Sequence, residues 1–132
     1  MKFLNTMVAL FLMVLPLQAQ QDEIKSVISG QIQSLLKDDF DTAFSYAAPN
    51  IKQIFQTPER FGQMVANGYP MVHRPAEITF QDLFESDGGF TQDVLLRDAQ
   101  GLYYVARYTM VMVGDVWQIS GVNILDSAGV GV

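Results

Sequence analysis

A carboxylate or an imidazole held out of water is the simplest proton-transfer group a protein can build, and this 132-residue chain offers a candidate of each kind. Asp82 falls in the alternating phase of Ile78, Phe80 and Phe84, which places it on the inward face of an expected strand. Burial there would raise its pKa and make it a candidate general base. His73, the single histidine, follows the Tyr69-Pro70 step and is the second candidate; beside Arg74 and Pro75 it also reads as a surface histidine. Arg107 interrupts an otherwise neutral strand and, if inward, needs Glu77, Asp93 or an anionic ligand as its partner. Together with Arg107, Tyr69, Tyr104, Tyr108, Trp117 and Asn123 are candidates for a ligand-binding wall, aromatic with a few polar groups. The same aromatics fit a plain core, and the same arginine fits a structural ion pair.

Other chemistries fall away on composition. The chain has no cysteine and one histidine, which removes disulfides, thiolate metal sites, a cysteine nucleophile and multi-histidine metal sets. No metal and no cofactor are therefore expected. Asp38, Asp39 and Asp41 lack the glycine and terminal glutamate of a calcium loop and read as helix caps. Ser34-Leu35-Leu36-Lys37 spells Ser-x-x-Lys on an amphipathic helix, without the companion motifs of an acyl-enzyme hydrolase. There is no glycine-rich phosphate loop. Eight Lys and Arg against fourteen Asp and Glu give a formal charge of −6, so nucleic-acid binding is not expected.

The elements that must position these residues begin after a leader. Lys2, an apolar run from Met7 to Leu15 and Pro16-Leu17-Gln18-Ala19 fit a secretory signal peptide cut near Ala19, although Leu17 is larger than the residue preferred there. A membrane anchor needs about 20 apolar residues, and Asn5, Thr6 and Pro16 interrupt this stretch. With no cysteine to acylate, the mature chain is expected to be free of the membrane, either periplasmic or secreted. Residues 1–19 are read as leader, 20–126 as one domain and 127–132 as a flexible, glycine-rich tail.

From Asp22 to Lys37 the apolar positions Ile24, Val27, Ile28, Ile32, Leu35 and Leu36 recur as one face of a helix, with acids at its start and a base at its end. Asp38 or Asp39 caps a shorter helix carrying Phe40, Ala43, Phe44 and Ala47, stopped by Pro49. Ile51 to Phe55 makes one further turn. Thr57-Pro58-Glu59 starts a third helix with Phe61, Met64 and Val65 on its apolar side, ended by Asn67-Gly68 in a left-handed conformation. Tyr69-Pro70 predicts an extended chain, with a short edge strand at Met71 to His73.

After Pro70 the period changes from 3.6 to 2. Strands are predicted around Ile78 to Phe84, over Phe90 to Arg97, Leu102 to Val113 and Val116 to Leu125, joined by Asp87-Gly88-Gly89, Asp98-Ala99-Gln100-Gly101 and Gly114-Asp115. The fold class is α+β: N-terminal helices packed on a curved antiparallel sheet of four to five strands, forming a cone with a hollow end. Both parities of the third strand are substantially apolar. One face packs on the helices, and the other marks an interface, for which a homodimer is one answer, or is half-covered by its own long side chains.

The series Asp38-Asp39, Ala43-Phe44, Pro49, Ile51, Phe55, Phe61, Met64-Val65, Tyr69-Pro70 and Trp117-Gln118-Ile119-Ser120-Gly121 resembles an uncharacterised bacterial exported family, domain of unknown function 4864, over nearly all of the expected mature chain. That family is similar in architecture to the nuclear transport factor 2-like (SnoaL-like, cystatin-like) superfamily, whose cone holds ligands or active sites. The resemblance implies the fold and a tendency to dimerise, and no reaction. Three readings follow: a non-catalytic module holding a small apolar or amphipathic ligand, an isomerase or dehydratase using Asp82 or His73, and a protein-interaction module with a filled core.

Overall fold

Ile24, Ile28, Ile32 and Leu35 share one face of a helix and are all sealed from solvent, so the first element is held by packing rather than by its weak caps. The computed structural model describes residues 16–125. The leader's apolar run and the tail from Ser127 lie outside the described residues. Five helices, α1 (Leu17–Leu36), α2 (Phe40–Ser45), α3 (Pro49–Phe55), α4 (Pro58–Gly68) and α5 (Pro70–His73), precede four strands, β1 (Glu77–Ser86), β2 (Gly89–Arg97), β3 (Tyr103–Val113) and β4 (Val116–Leu125). The strands form one antiparallel sheet in the order β1-β2-β3-β4. No described helix is long and apolar enough to cross a membrane.

Most helix signals act as their chemistry requires. Asp39 caps α2 by accepting from the Thr42 amide at 3.2 Å, and Thr57 Oγ1 caps α4 by accepting from Arg60 N at 3.2 Å. Pro49, Pro58 and Pro70 each open a helix, where the missing N–H costs nothing.

Three local expectations are corrected. Helix α1 begins at Leu17, so Asp22 and Glu23 lie beyond its first turn. Gly68 is helical, and α4 is closed by Tyr69 at φ −137° rather than by a left-handed residue. Met71 to His73 is not a strand but part of α5, because Pro70 sets a helical φ and the His73 and Arg74 amides donate back to Tyr69 and Pro70 carbonyls.

The inner face of the sheet carries Val94, Leu96, Ala106, Tyr108, Met110, Trp117 and Ile119, packed on α1, α2 and α4. Two bulges decide what else faces inward. The β1–β2 register shifts between Phe80 and Leu83, so Leu83 turns in and Phe84 turns out. Gln92, fully buried, fastens this bulge by donating its amide to the Gln81 carbonyl at 3.1 Å and the Asp82 carbonyl at 3.4 Å. The second shift, between Thr109 and Met110 on β3, puts Met110 opposite Ile119 but Thr109 opposite Gly121. Val122 and Ile124, not Asn123, therefore continue the inner face.

Candidate functional site

A hollow lies between the helices and strand β4, at the edge of the sheet. Its volume is about 280 Å³. Helix α1 supplies Gln31 and Leu35, one turn apart on the buried face; α4 supplies Phe61, Met64 and Val65; Tyr69 and Val72 close one side. Helix α3 supplies Ile51, Ile54 and Phe55 but buries no residue of its own, so it acts as a wall and not as a filler. It is held against the sheet edge by two backbone hydrogen bonds of the preceding turn and one from a side chain. Ala48 N donates to Ile119 O at 2.8 Å, Ile119 N to Tyr46 O at 2.9 Å, and Asn50 Nδ2 to Ser120 O at 2.9 Å. Ile119, Gly121, Val122 and Asn123 complete the enclosure.

Gln31, Leu35, Ala47, Phe61, Val65, Val72 and Ile119 are buried and form the floor, while Ile54, Tyr69 and Asn123 are exposed and mark the mouth. No Asp, Glu, Lys, Arg or His belongs to the lining. The chemistry on offer is apolar contact with a few uncharged hydrogen-bonding groups, the usual makeup of a small-molecule pocket.

Neither candidate base reaches this cavity. Asp82 sits in the β1 bulge and is exposed: the extra residue there breaks the alternation that aligned it with Ile78 and Phe80. His73 packs toward the end of α1, where its Nε2 lies 2.7 Å from Asp38 Oδ1. Asp38 Oδ2 also accepts from Arg74 Nη2 at 2.8 Å, and Arg74 Nη1 donates to the Leu36 carbonyl. The His73 hydrogen bond, helped by the Arg74 charge, holds the Asp38 carboxyl below the usual carboxylate range.

That clasp has a measurable signature. Because the folded pKa is lowered, its stabilisation is present at neutral pH and is lost as pH falls through the range below about 4. Asp38 has a left-handed φ of 56°, which asparagine tolerates, so Asp38→Asn removes the charge without adding strain. We expect acid titrations of thermal stability in which Asp38→Asn melts below the wild type at pH 6 and the two curves converge in strong acid. A constant gap at every pH would show that the charge is not what the clasp uses.

Of the six proposed wall residues, Tyr69 and Asn123 lie at the cavity mouth. Asn123 is there because β4 is an edge strand, not because it shares the face of Trp117; the bulge places it opposite Arg107 on the outer face. Tyr108 is wholly buried, its hydroxyl has no partner among the described residues, and burial pushes the phenol pKa up. Trp117 stacks edge-on against Phe90 at 5.6 Å and borders a separate hollow of about 210 Å³ with Glu23 and Asp115. Tyr104 is half-buried, with its hydroxyl 3.4 Å from Asp98 Oδ2.

Arg107 lies on the outer face in a two-pronged pair with Asp93, Nε to Oδ1 at 2.9 Å and Nη2 to Oδ2 at 3.0 Å, above the Phe84 ring. Asp93 is its direct cross-strand neighbour. Ser34 donates to the Gly30 carbonyl of its own helix at 2.8 Å. Among the described residues no cluster of three potential metal-ligating side chains occurs.

Gln31, the one polar side chain on the floor with a hydrogen-bonding amide, escapes a reading based on aromatics. Its signal is positional: it stands seven residues after Ile24 and three after Ile28, in phase with the apolar stripe of α1.

Comparison with solved structures gives the same architecture. A nuclear transport factor 2-like protein of unknown function from Shewanella oneidensis is 14% identical, covers 81% of this chain and 99% of its own, and superposes with a TM-score of 0.55. Aln2 from a Streptomyces species is 17% identical over 87% of this chain and 96% of its own, at a TM-score of 0.53. A chain named Rd1NTF2_05, carrying five substitutions, is 14% identical over 80% and 98%, at 0.55. No curated protein is significantly similar in sequence. The model of a family described as a domain of unknown function, DUF4864, matches residues 17–132. With helices leading, an open four-stranded sheet following and that match spanning the whole described domain, the chain belongs to the DUF4864 family and has a nuclear transport factor 2-like fold.

Proposed function

We propose that this protein is an exported, non-catalytic module that holds a small apolar or amphipathic ligand in the cavity between α1, α3, α4 and β4. The observation that carries the reading is the lining: a hollow of about 280 Å³ whose floor is largely apolar and whose walls contain no Asp, Glu, Lys, Arg or His. Proton transfer needs a base within hydrogen-bond reach of the reacting atom, and the two candidate bases lie elsewhere. A core filled by Phe44, Phe61 and Trp117 would favour a purely interacting module; here those three are packed and the hollow persists beside Phe61.

Export rests on the leader pattern, and a second copy against the outer sheet face is the partner we favour. That face exposes Phe84, Tyr103 and Val113 around the Asp93–Arg107 pair.

Native mass spectrometry of protein purified from its own host tests the binding reading. We expect a retained small molecule in the wild type and an empty Val65→Phe variant, whose added ring projects into the cavity. The reading fails if the wild type is consistently empty and no lipid or aromatic acid shifts its melting temperature. An intact mass beginning near Gln20 supports export, and retention of Met1 in cell extracts opposes it. Sedimentation of a monomer at micromolar concentration would retire the dimer.

A further inference from the structure

We infer that the cavity selects an uncharged ligand bearing a hydrogen-bond donor, an alcohol head on a short apolar body, with the Gln31 amide oxygen as its acceptor. This rests on the binding reading above and names the chemistry of the same site. Gln31 is 3% exposed and lies on the cavity floor. Its Nε2 donates to the Ala43 carbonyl at 3.2 Å. A carbonyl can only accept, so this bond fixes which end of the amide is nitrogen and which is oxygen.

The oxygen is then the free end. It takes part in no hydrogen bond among the described residues, yet it is not among the sealed, partnerless atoms of the core, which are Gln92 Oε1, Arg97 Nε, Tyr108 Oη and Trp117 Nε1. The open space this side chain reaches is the cavity. An acceptor in an apolar floor calls for a donor, and leaving it bare inside a bound complex costs the desolvation of that group. A ligand hydroxyl replaces the water that would otherwise serve it; an ether or an alkane does not.

Charge is disfavoured for a separate reason. A carboxylate brought to this floor meets an acceptor oxygen where it needs a donor, and no cation in the lining offsets its lost hydration. Size sets the third limit. At about 30 Å³ per water-sized group, about 280 Å³ accommodates a body of roughly nine heavy atoms.

Isothermal titration at pH 7.5 with 1-octanol, methyl octyl ether and octanoate separates these terms. Octanol is expected to bind at least tenfold more tightly than either of the others. Gln31→Leu is expected to bring octanol down to the affinity of the ether and to leave the ether unchanged. If the ether or octanoate matches octanol in the wild type, the donor rule is overturned while the binding reading stands; this comparison needs no variant, so a poorly folded Gln31→Leu does not rescue the idea. If none of the three binds, this inference is overturned, and the binding reading is decided separately by the mass-spectrometric and thermal-shift test above.

Discussion

Gly89→Ala should cost about 3 kcal/mol and lower the melting temperature by roughly 12 °C, at about 4 °C per kcal/mol for a domain of this size. A Cβ built at Gly89 falls on the Met110 carbonyl oxygen, far inside van der Waals contact, and the carbonyl carbon lies 3.2 Å away. Those atoms are backbone of β3. Gly89 pairs with Val111, so neither strand can retreat without opening the β2–β3 ladder at its first rung. Gly121→Ala is the control: nothing lies within 4 Å of its Cβ position and its φ is ordinary, so its melting temperature should stay within about 2 °C of the wild type. Equal melting temperatures for both variants would mean that the strands separate freely at Gly89. Gly88, at φ +74° in open space, is needed for a different reason, the left-handed turn itself.

This pair of neighbouring glycines shows how far the residues alone can be read. Asp87-Gly88-Gly89 announces a reversal, and the structure places the reversal there, but nothing in the letters says that one glycine serves the turn and the other serves a close approach. The four strands are legible because period-2 alternation and turn residues agree. Helix α4 is legible because Thr57-Pro58-Glu59 has few other places to stand, whereas Pro49, read as the stop of α2, opens α3, of which only the turn from Ile51 to Phe55 is legible. What misleads is local insertion. Gln81-Asp82 and Ser120-Gly121 each sit at a bulge, where a single extra residue reverses every side chain beyond it. The parity that assigns Asp82 and Asn123 to faces holds only up to those points. Pro70 reads as extended through its effect on the residue before it, while its own pre-set φ nucleates α5. Tyr69 and Asn123 stand at the cavity mouth, Asn123 through the edge position of β4 and not through the face its parity assigned, while much of the floor comes from α1 and α4, whose inward residues look like any other core until α3 is seen beside them.

Removing one of those floor residues should produce the largest loss of all: Phe61→Ala is expected to cost about 3–5 kcal/mol. Phe61 is buried at the meeting of three helices, its ring 5.4 Å from Phe44 of α2 and 6.0 Å from Phe55 of α3. The adjacent Gly62 lets the Phe40 ring lie directly on α4, so the α2–α4 contact has no slack with which to collapse into the space left behind. Phe55→Ala, at a half-exposed position on the cavity wall, should lose only about 1 kcal/mol. Urea titrations of the two variants give the comparison, with an unchanged m-value showing that the fold is retained. The Phe61 vacancy also opens into the cavity, which joins stability to binding. If the pocket holds an apolar body, Phe61→Ala should accept longer alcohols than the wild type and regain part of its lost stability when saturated with them. A variant that is destabilised as expected but keeps the wild-type preference for chain length would show that Phe61 holds the helices together without bounding the ligand.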